Sequence, residues 1–248
     1  MHHHTALCLC LRPHEPERKV EGEPQCEWYR RRYAAIGLLR TGKNYNETVT
    51  TPTRILMLRH GQSEWNAMGR WQGQADIELT DLGYEQARRA AERLGMFDAI
   101  ISSDLRRAHL TATIIANGLG VGLLSPDQRL RETDVGEWQG LTHHQIERDW
   151  PGYLDAHQRP PGFESDDSIV ERVSAALFDL AEQFPGSEVL CIAHAGIIRV
   201  MRRAHRVPDT RIANLGGCHF IVRPGHPTPI EIGDVVDLFE HGELGEEL

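Results

Sequence analysis

Four apolar residues in a row, Ile55-Leu56-Met57-Leu58, run straight into Arg59-His60-Gly61, and this junction constrains the fold more than any other stretch of the chain. An unbroken apolar run of this length suits a strand covered on both faces, as in a parallel sheet; a half-exposed strand would alternate. Two other runs share the pattern. Asp98-Ala99-Ile100-Ile101 releases the chain into Ser102-Ser103-Asp104 and then Arg106-Arg107, and Val189-Leu190-Cys191-Ile192-Ala193 ends in His194-Ala195-Gly196. Ligands of open α/β sheets gather at the carboxyl ends of the strands. Parallel pairing therefore brings His60, His194 and one of Arg106 and Arg107 to a single edge.

Between these strands the apolar period changes to that of a helix. Thr80 is a good N-cap for a stripe of Leu82, Ala87, Ala90, Ala91 and Leu94 that Gly95 stops. Leu105, Ala108, Ala112, Ile115 and Ala116 mark a second helix, which Ser102 or Ser103 is expected to start or cap and Gly118 and Gly120 to close. Ile169, Val173, Ala176, Leu177 and Leu180 mark a third, and Ile197, Val200 and Met201 a fourth. Val121–Leu124 is expected as a further strand, and Gly217–Val222 with Pro229–Ile232 as a closing pair at a sheet edge. The expected architecture is an α/β protein, a three-layer α/β/α sandwich with a mostly parallel central sheet.

Residues 54–236 carry this pattern as one domain. Residues 1–53 mix His, Pro, Glu, Arg and Lys, with a weak helical signal over Glu27–Leu39, and read as a poorly ordered arm; residues 237–248 read as an acidic tail. The charged run from Arg129 to Gly140 leads into a polar stretch to Ser165 containing Pro151, Pro160 and Pro161. That insertion is long enough to form a lid or wall over a site.

A formal charge of -9 argues against a general nucleic-acid or membrane surface. No apolar stretch approaches the ~20 residues that span a bilayer, and Leu7–Leu11 is too short for a signal sequence, so a cytoplasmic protein is expected. Five cysteines do not make a disulfide framework, and Cys191 inside an apolar strand is expected as a buried thiol. Cys8, Cys10 and Cys26 stand near His2, His3, His4 and His14, but no C-x-x-C or H-x-x-x-H spacing pairs them, and no metal is expected. Cys26 and Arg32 share a C-x5-R spacing with no glycine cradle between them. Asp76-Ile77-Glu78-Leu79-Thr80 lacks the second Asp and the leading strand of an aspartyl-phosphate motif. His143, His144 and Glu147 read as a polar helix face.

A tetrahedral dianion needs cationic and N–H donors converging from several directions, and arginine supplies them in a fork that stays charged. Arg59 and Arg107 fit that role. Nearby arginines also disfavour protonation of His60, leaving its imidazole free to attack phosphorus. The leaving alkoxide then needs a proton, and Glu132 is the best-placed carboxylate of the charged loop, provided that it holds a proton when the ester binds.

Arg59-His60-Gly61, Ser102-Ser103-Asp104-Leu105-Arg106-Arg107-Ala108 with Thr111-Ala112, Leu130-Arg131-Glu132 with Gly136 and Trp138-Gln139-Gly140, and Ala193-His194-Ala195-Gly196 together resemble the histidine phosphatase superfamily, with its phosphoglycerate mutase-like fold. The resemblance runs from Arg54 to about Val222, and within the family it looks most like actinobacterial phosphatases acting on glucosyl-3-phosphoglycerate. It implies that His60 becomes phosphohistidine, that Arg59, Arg107 and His194 hold the phosphoryl group, and that Glu132 protonates the leaving group. Asn66 and Gln72 fall where the family places further phosphate contacts, and Gly73, Ala195 and Trp138 are further expected substrate contacts. No cofactor and no metal are implied. Ala195 departs from a common glycine, and Phe163 interrupts a Gly-Gly-Glu-Ser pattern, which bears on the substrate. Trp138, His143, His157, Arg159 and Phe163 are the expected specificity wall.

The implied activity is metal-independent hydrolysis of a small phosphomonoester of the sugar phosphate or phosphoglycerate type. The expected partner is a small phosphorylated metabolite, with no nucleic acid and no membrane; a homodimer is left open. The runner-up is a 2,3-bisphosphoglycerate-dependent phosphoglycerate mutase. That branch usually carries a basic, proline-rich insertion after the Glu loop, whereas Leu141–Glu164 holds only Arg148 and Arg159 as basic residues beside its histidines. A phospho-ligand-binding module without turnover is the third reading, disfavoured by the full set His60, Arg59, Arg107, His194 and Glu132.

Overall fold

A computed structural model describes residues 51–226 and 228–239. The Glu27–Leu39 signal and the Cys8, Cys10 and Cys26 group lie outside the described residues. Among the described residues five strands make one sheet: β1 (Thr53–Arg59), β2 (Ala99–Ser102), β3 (Glu188–Ala193), β4 (Gly216–Val222) and β5 (Ile230–Asp237), in the order β2-β3-β1-β4-β5. β3 pairs parallel with both β2 and β1, β4 runs antiparallel to β1, and β5 antiparallel to β4. Only β4 runs against the rest.

Alternation along each inner strand divides the core into two layers. Ile55 and Met57 of β1, with Val189, Cys191 and Ala193 of β3, pack on Ile169, Val173, Leu177, Ile197 and Met201. These last five belong to α5 (Asp166–Gln183) and α6 (Ala195–Ala204). Leu56, Leu58, Leu190 and Ile192 face the other way, onto Ala90, Ala108, Ala112 and Ile115. Those lie on α2 (Asp81–Arg93) and α3 (Arg106–Leu119), α1 being the single turn Glu64–Ala67. Helices on both faces explain why the inner strands β1 and β3 carry long apolar runs with no polar face, and the three-layer expectation holds.

Thr80 caps α2, its hydroxyl accepting the Gly83 N–H at 3.1 Å. Several local expectations do not hold. Neither Ser102 nor Ser103 is the N-cap of α3: Leu105 is, and the Ser103 hydroxyl accepts the Leu105 N–H in a local turn instead. Gly120, in a left-handed conformation at φ 66°, closes α3, while Gly118 lies inside it against Ala91. Val121–Leu124 makes one parallel bridge, Leu123 to Ile100, and no strand. Gly122 lies within that segment and Pro126 follows it, and proline offers no N–H to extend a ladder. β5 continues past the expected Ile232 to Asp237, and Phe239 then packs beneath Arg93 of α2 at 4.8 Å.

Gly217 permits the close pairing of β4 with β1, since a Cβ there would strike the Met57 carbonyl. Cys191 and Cys218 are free and buried, and burial pushes both thiols up. Among the described residues no helix is long and apolar enough to cross a membrane.

Candidate active site

At the carboxyl end of the three parallel strands, β1 delivers Arg59 and His60, β3 delivers His194, and the turn after β2 delivers Arg107 on the first turn of α3. His60 is 2% exposed. Its main chain is tied on both sides: the N–H donates to the Ala193 carbonyl at 3.0 Å, and the carbonyl accepts from Asn214 Nδ2 at 2.7 Å. The next N–H, of Gly61, donates to the Thr111 hydroxyl at 3.1 Å, which itself donates to the Arg107 carbonyl at 2.7 Å. Strand end and helix start are thus locked together.

The ring of His60 has one consistent tautomer. Nδ1 lies 2.6 Å from the Gly61 carbonyl, which can only accept, so Nδ1 carries the proton and Nε2 the lone pair. Arg107 Nε donates to that Nε2 at 3.2 Å. Burial above all, then Arg107 and Arg59, holds His60 well below the usual histidine range, with the Gly61 hydrogen bond acting in the opposite sense. A neutral imidazole with its lone pair on Nε2 is a nucleophile at neutral pH.

Arg107 is itself fully buried, and its terminal nitrogens donate to the Ala75 carbonyl at 2.6 Å and the Gly73 carbonyl at 2.9 Å. The expected anion fork is therefore braced by the loop of Gly73, and one edge of it rests on His60. Burial pushes the guanidinium down to about 10, so it remains a cation at neutral pH. His194 is fully buried, its ring edge-on to His60 at 5.2 Å. Both its ring nitrogens lack a hydrogen-bond partner among the described residues. Burial, then Arg107 and His60, holds it well below the usual range.

A cavity of about 830 Å³ opens from His60. Of the expected residues, Arg59, His60, Glu132, Asn66, Gln72, Gly73, Ala195 and Trp138 line it, whereas Arg107 and His194 contact His60 without lining it. Arg59 donates to the Ile212 carbonyl at 3.0 Å. The side-chain carbonyl oxygen of Gln72 accepts from the Ser63 hydroxyl at 2.8 Å, and that of Asn66 from the Ser63 N–H at 3.2 Å. Their amide nitrogens are left as the ends available to the cavity. Gly73 adopts φ 51°, which suits glycine there.

Glu132 reaches the start of α6. One carboxylate oxygen accepts from the Thr133 N–H at 2.8 Å and the other from the Gly196 N–H at 3.1 Å. This is the arrangement of a carboxylate, both oxygens accepting. The loop that carries Glu132 is held by Arg172 of α5, which the sequence reading missed. Arg172 donates to the carbonyls of Arg129 and Arg131, each at 2.7 Å, and of Glu132 at 3.3 Å. Its charge is balanced by Glu164 at 2.8 Å, with side chains only 17% and 13% exposed. The available signal was position: Arg172 adjoins Val173 and follows Ile169 on the buried stripe of α5.

The insertion forms a wall. Trp138 sits 2% exposed between Trp71 and Phe163, edge-on to each, so it shapes the cavity floor with little surface of its own. His157, Arg159 and Phe163 line the cavity as expected, with the Arg159 guanidinium over the Phe163 ring at 4.7 Å. His143 does not. It stands exposed at the start of α4 (His143–Asp149), which turns Ile146 inward instead.

Residues 55–220 match the histidine phosphatase superfamily (branch 1). Over 180 residues the chain is 41% identical to the glucosyl-3-phosphoglycerate phosphatase of Mycobacterium tuberculosis, covering 66% of this chain and 80% of that protein. It is 35% identical over 159 residues to a metal-independent phosphoserine phosphatase of Arabidopsis thaliana, covering 60% of this chain and 67% of the other. The structure of a mycobacterial glucosyl-3-phosphoglycerate phosphatase in complex with VO3 superposes with a TM-score of 0.63 at 32% identity, over 73% of this chain and 96% of that one. With sheet, strand ends and sequence in agreement over the same span, this chain belongs to the histidine phosphatase superfamily.

Proposed function

We propose that the protein is a metal-independent phosphatase that hydrolyses a small phosphomonoester through a phosphohistidine on His60. The reading is carried by the tautomer of His60: a neutral ring that lines the cavity, its proton pinned on Nδ1 by Gly61 and its lone pair on Nε2. The phosphoryl group displaces the Arg107 Nε–H from Nε2 and takes up that donor, together with Arg59 and the amides of Asn66 and Gln72. His194, buried without a hydrogen-bond partner among the described residues, gains one in a phosphoryl oxygen, which removes a cost of about 1–3 kcal/mol.

Nε2 then attacks phosphorus as the ester P–O bond breaks, and Glu132 gives the leaving oxygen its proton. An ester bound as its monoanion supplies that proton: a phosphoryl oxygen takes the Gly196 N–H from Glu132 and passes its hydrogen to the freed carboxylate. In the second half, Glu132 accepts a proton from water, the water oxygen bonds to phosphorus, and the P–Nε2 bond breaks to release phosphate. The substrate is a small phosphorylated metabolite of the sugar phosphate or phosphoglycerate type, in keeping with the names of the relatives. We place the protein in the cytoplasm, where thiols such as Cys191 and Cys218 stay reduced, with no nucleic acid or membrane among its partners. A homodimer is the assembly to test for by sedimentation.

Phosphate release from a panel of phosphomonoesters in EDTA, wild type beside His60→Ala, tests the reading. Release by wild type and a loss of roughly 10⁴-fold or more in the variant is expected. Equal release by both would overturn the role of His60. Conversion of 3-phosphoglycerate to its isomer when 2,3-bisphosphoglycerate is added, without release, would make it a mutase.

A further inference from the structure

Away from His60 the cavity wall carries a chain of ion pairs that takes no part in the reaction just described. Arg199 and Arg203 stand one turn apart on α6. Arg199 holds the Asp209 carboxylate with Nε and a terminal nitrogen, both at 2.8 Å, and Arg203 reaches the same carboxylate at 3.2 Å. Arg203 also meets Asp166 at 3.1 Å, and Arg159 meets the other oxygen of Asp166 at 2.7 Å. Three guanidinium groups share two carboxylates, and all five residues line the cavity. With Arg59 and Arg70 on one side of the balance and Glu132 on the other, the lining has more arginines than carboxylates.

Three features point to a ligand for this excess. The fork of Arg199 already holds a carboxylate at both oxygens, so its planar geometry suits that group. The pairs are easy to exchange: their side chains are 29% to 46% exposed, and exposed pairs of this kind contribute only about 0–1 kcal/mol. The spacing also fits. Gly196, where Glu132 docks, precedes Arg199 by three residues and Arg203 by seven, which is roughly 4.5 and 10 Å along the helix. An anion on these arginines therefore shares the cavity with a phosphoryl group at His60.

We propose that Arg199 and Arg203 form a subsite for a carboxylate carried by the substrate, so that the preferred ester joins a phosphate and a carboxylate through a short carbon skeleton. Asp209 holds the two guanidinium groups in register. The inference rests on the phosphomonoesterase reading of the same cavity and narrows its substrate class.

Two esters separate the cases: 3-phosphoglycerate and glycerol 3-phosphate share the phosphate, the skeleton and the neighbouring hydroxyl, and differ in the carboxylate alone. Wild type should prefer 3-phosphoglycerate by about tenfold to a hundredfold in kcat/KM, the range of a charge-assisted contact, with most of the difference in KM. Arg199→Gln and Arg203→Gln should each narrow that preference by about tenfold, and Arg203→Lys should restore part of it. Equal use of both esters by wild type, or a parallel loss for both in the variants, would overturn the subsite while leaving the phosphatase standing. Calorimetric binding of the same two compounds to His60→Ala gives a readout apart from turnover. Tighter binding of 3-phosphoglycerate there upholds the subsite even if no ester is hydrolysed, and equal binding removes it.

Discussion

The two ends of the cavity are built on different principles. At the His60 end nearly every group is buried and fixed by backbone: Gly61 sets the tautomer, Ala193 and Asn214 hold the main chain, and the carbonyls of Gly73 and Ala75 aim Arg107. At the Arg203 end the side chains hold one another, half-exposed and in shared pairs. A reaction common to many esters needs rigid donors that require no rearrangement as charge develops. Recognition of one ester needs groups that can change partners. The contrast assigns chemistry to the sheet edge and selectivity to the far wall.

Substitutions at the buried end should therefore be costly for every substrate. Arg107→Gln removes the donor on Nε2 and the brace of the Gly73 loop together, and turnover should fall by about 10²–10³ whichever ester is used. Steady-state kinetics on an alkyl and an aryl phosphate, with a melting curve to confirm folding, checks this; a loss confined to one ester would move Arg107 from the chemistry to the selectivity side. Gly196→Ala is the next step down. A Cβ there would strike the Glu132 carboxylate, displacing the acid while leaving His60 in place. Alkyl esters should slow by roughly 10²-fold and p-nitrophenyl phosphate, whose leaving group needs no proton, much less. Equal slowing would show that Glu132 is not the proton donor. Arg172→Met loosens the same loop indirectly, and a smaller loss of the same leaving-group dependence is expected, about tenfold, because the carboxylate keeps its Thr133 and Gly196 donors.

The difference between the two ends also explains what could be read from sequence. Strand ends are legible because an apolar run such as Ile55–Leu58 or Val189–Ala193 must stop where burial stops, and the first polar side chain beyond it is placed by that fact alone. The order of strands is not so marked. Nothing in Glu188–Ala193 says that β3 lies between β1 and β2, yet that insertion is what sets His194 beside His60. Val121–Leu124 misled because a short apolar run is the same whether it forms a ladder or merely covers a core edge. Asn214 carried no signal, since an amide in a loop has many uses. Thr111 did carry one, standing one helical turn after Arg107. Arg199 and Arg203 share a face of α6 by their spacing of four, but their anionic partners come from distant segments.

The smallest effect sharpens the comparison from the side of stability. His60 and His194 are held neutral well below the ordinary pKa of 6.5, so below that pH the unfolded chain binds protons that the native chain does not. Native stability then rises with pH through this window and is lost as pH falls below 6.5, by up to about 1.4 kcal/mol per pH unit for each histidine. The arginine–carboxylate pairs of the far wall contribute in the same direction, but their carboxylates are held below the usual range, so their contribution falls away only in more acid solution. Urea denaturation of wild type and His194→Phe at pH 7.5, 6.5 and 5.5 isolates the buried end. On acidification the gap between the two profiles should shift in favour of the variant, wild type losing about 1.4 kcal/mol more per unit below 6.5. Parallel profiles would mean that His194 takes up a proton in the folded protein, and with it that the buried end is open to solvent in the way the far wall is.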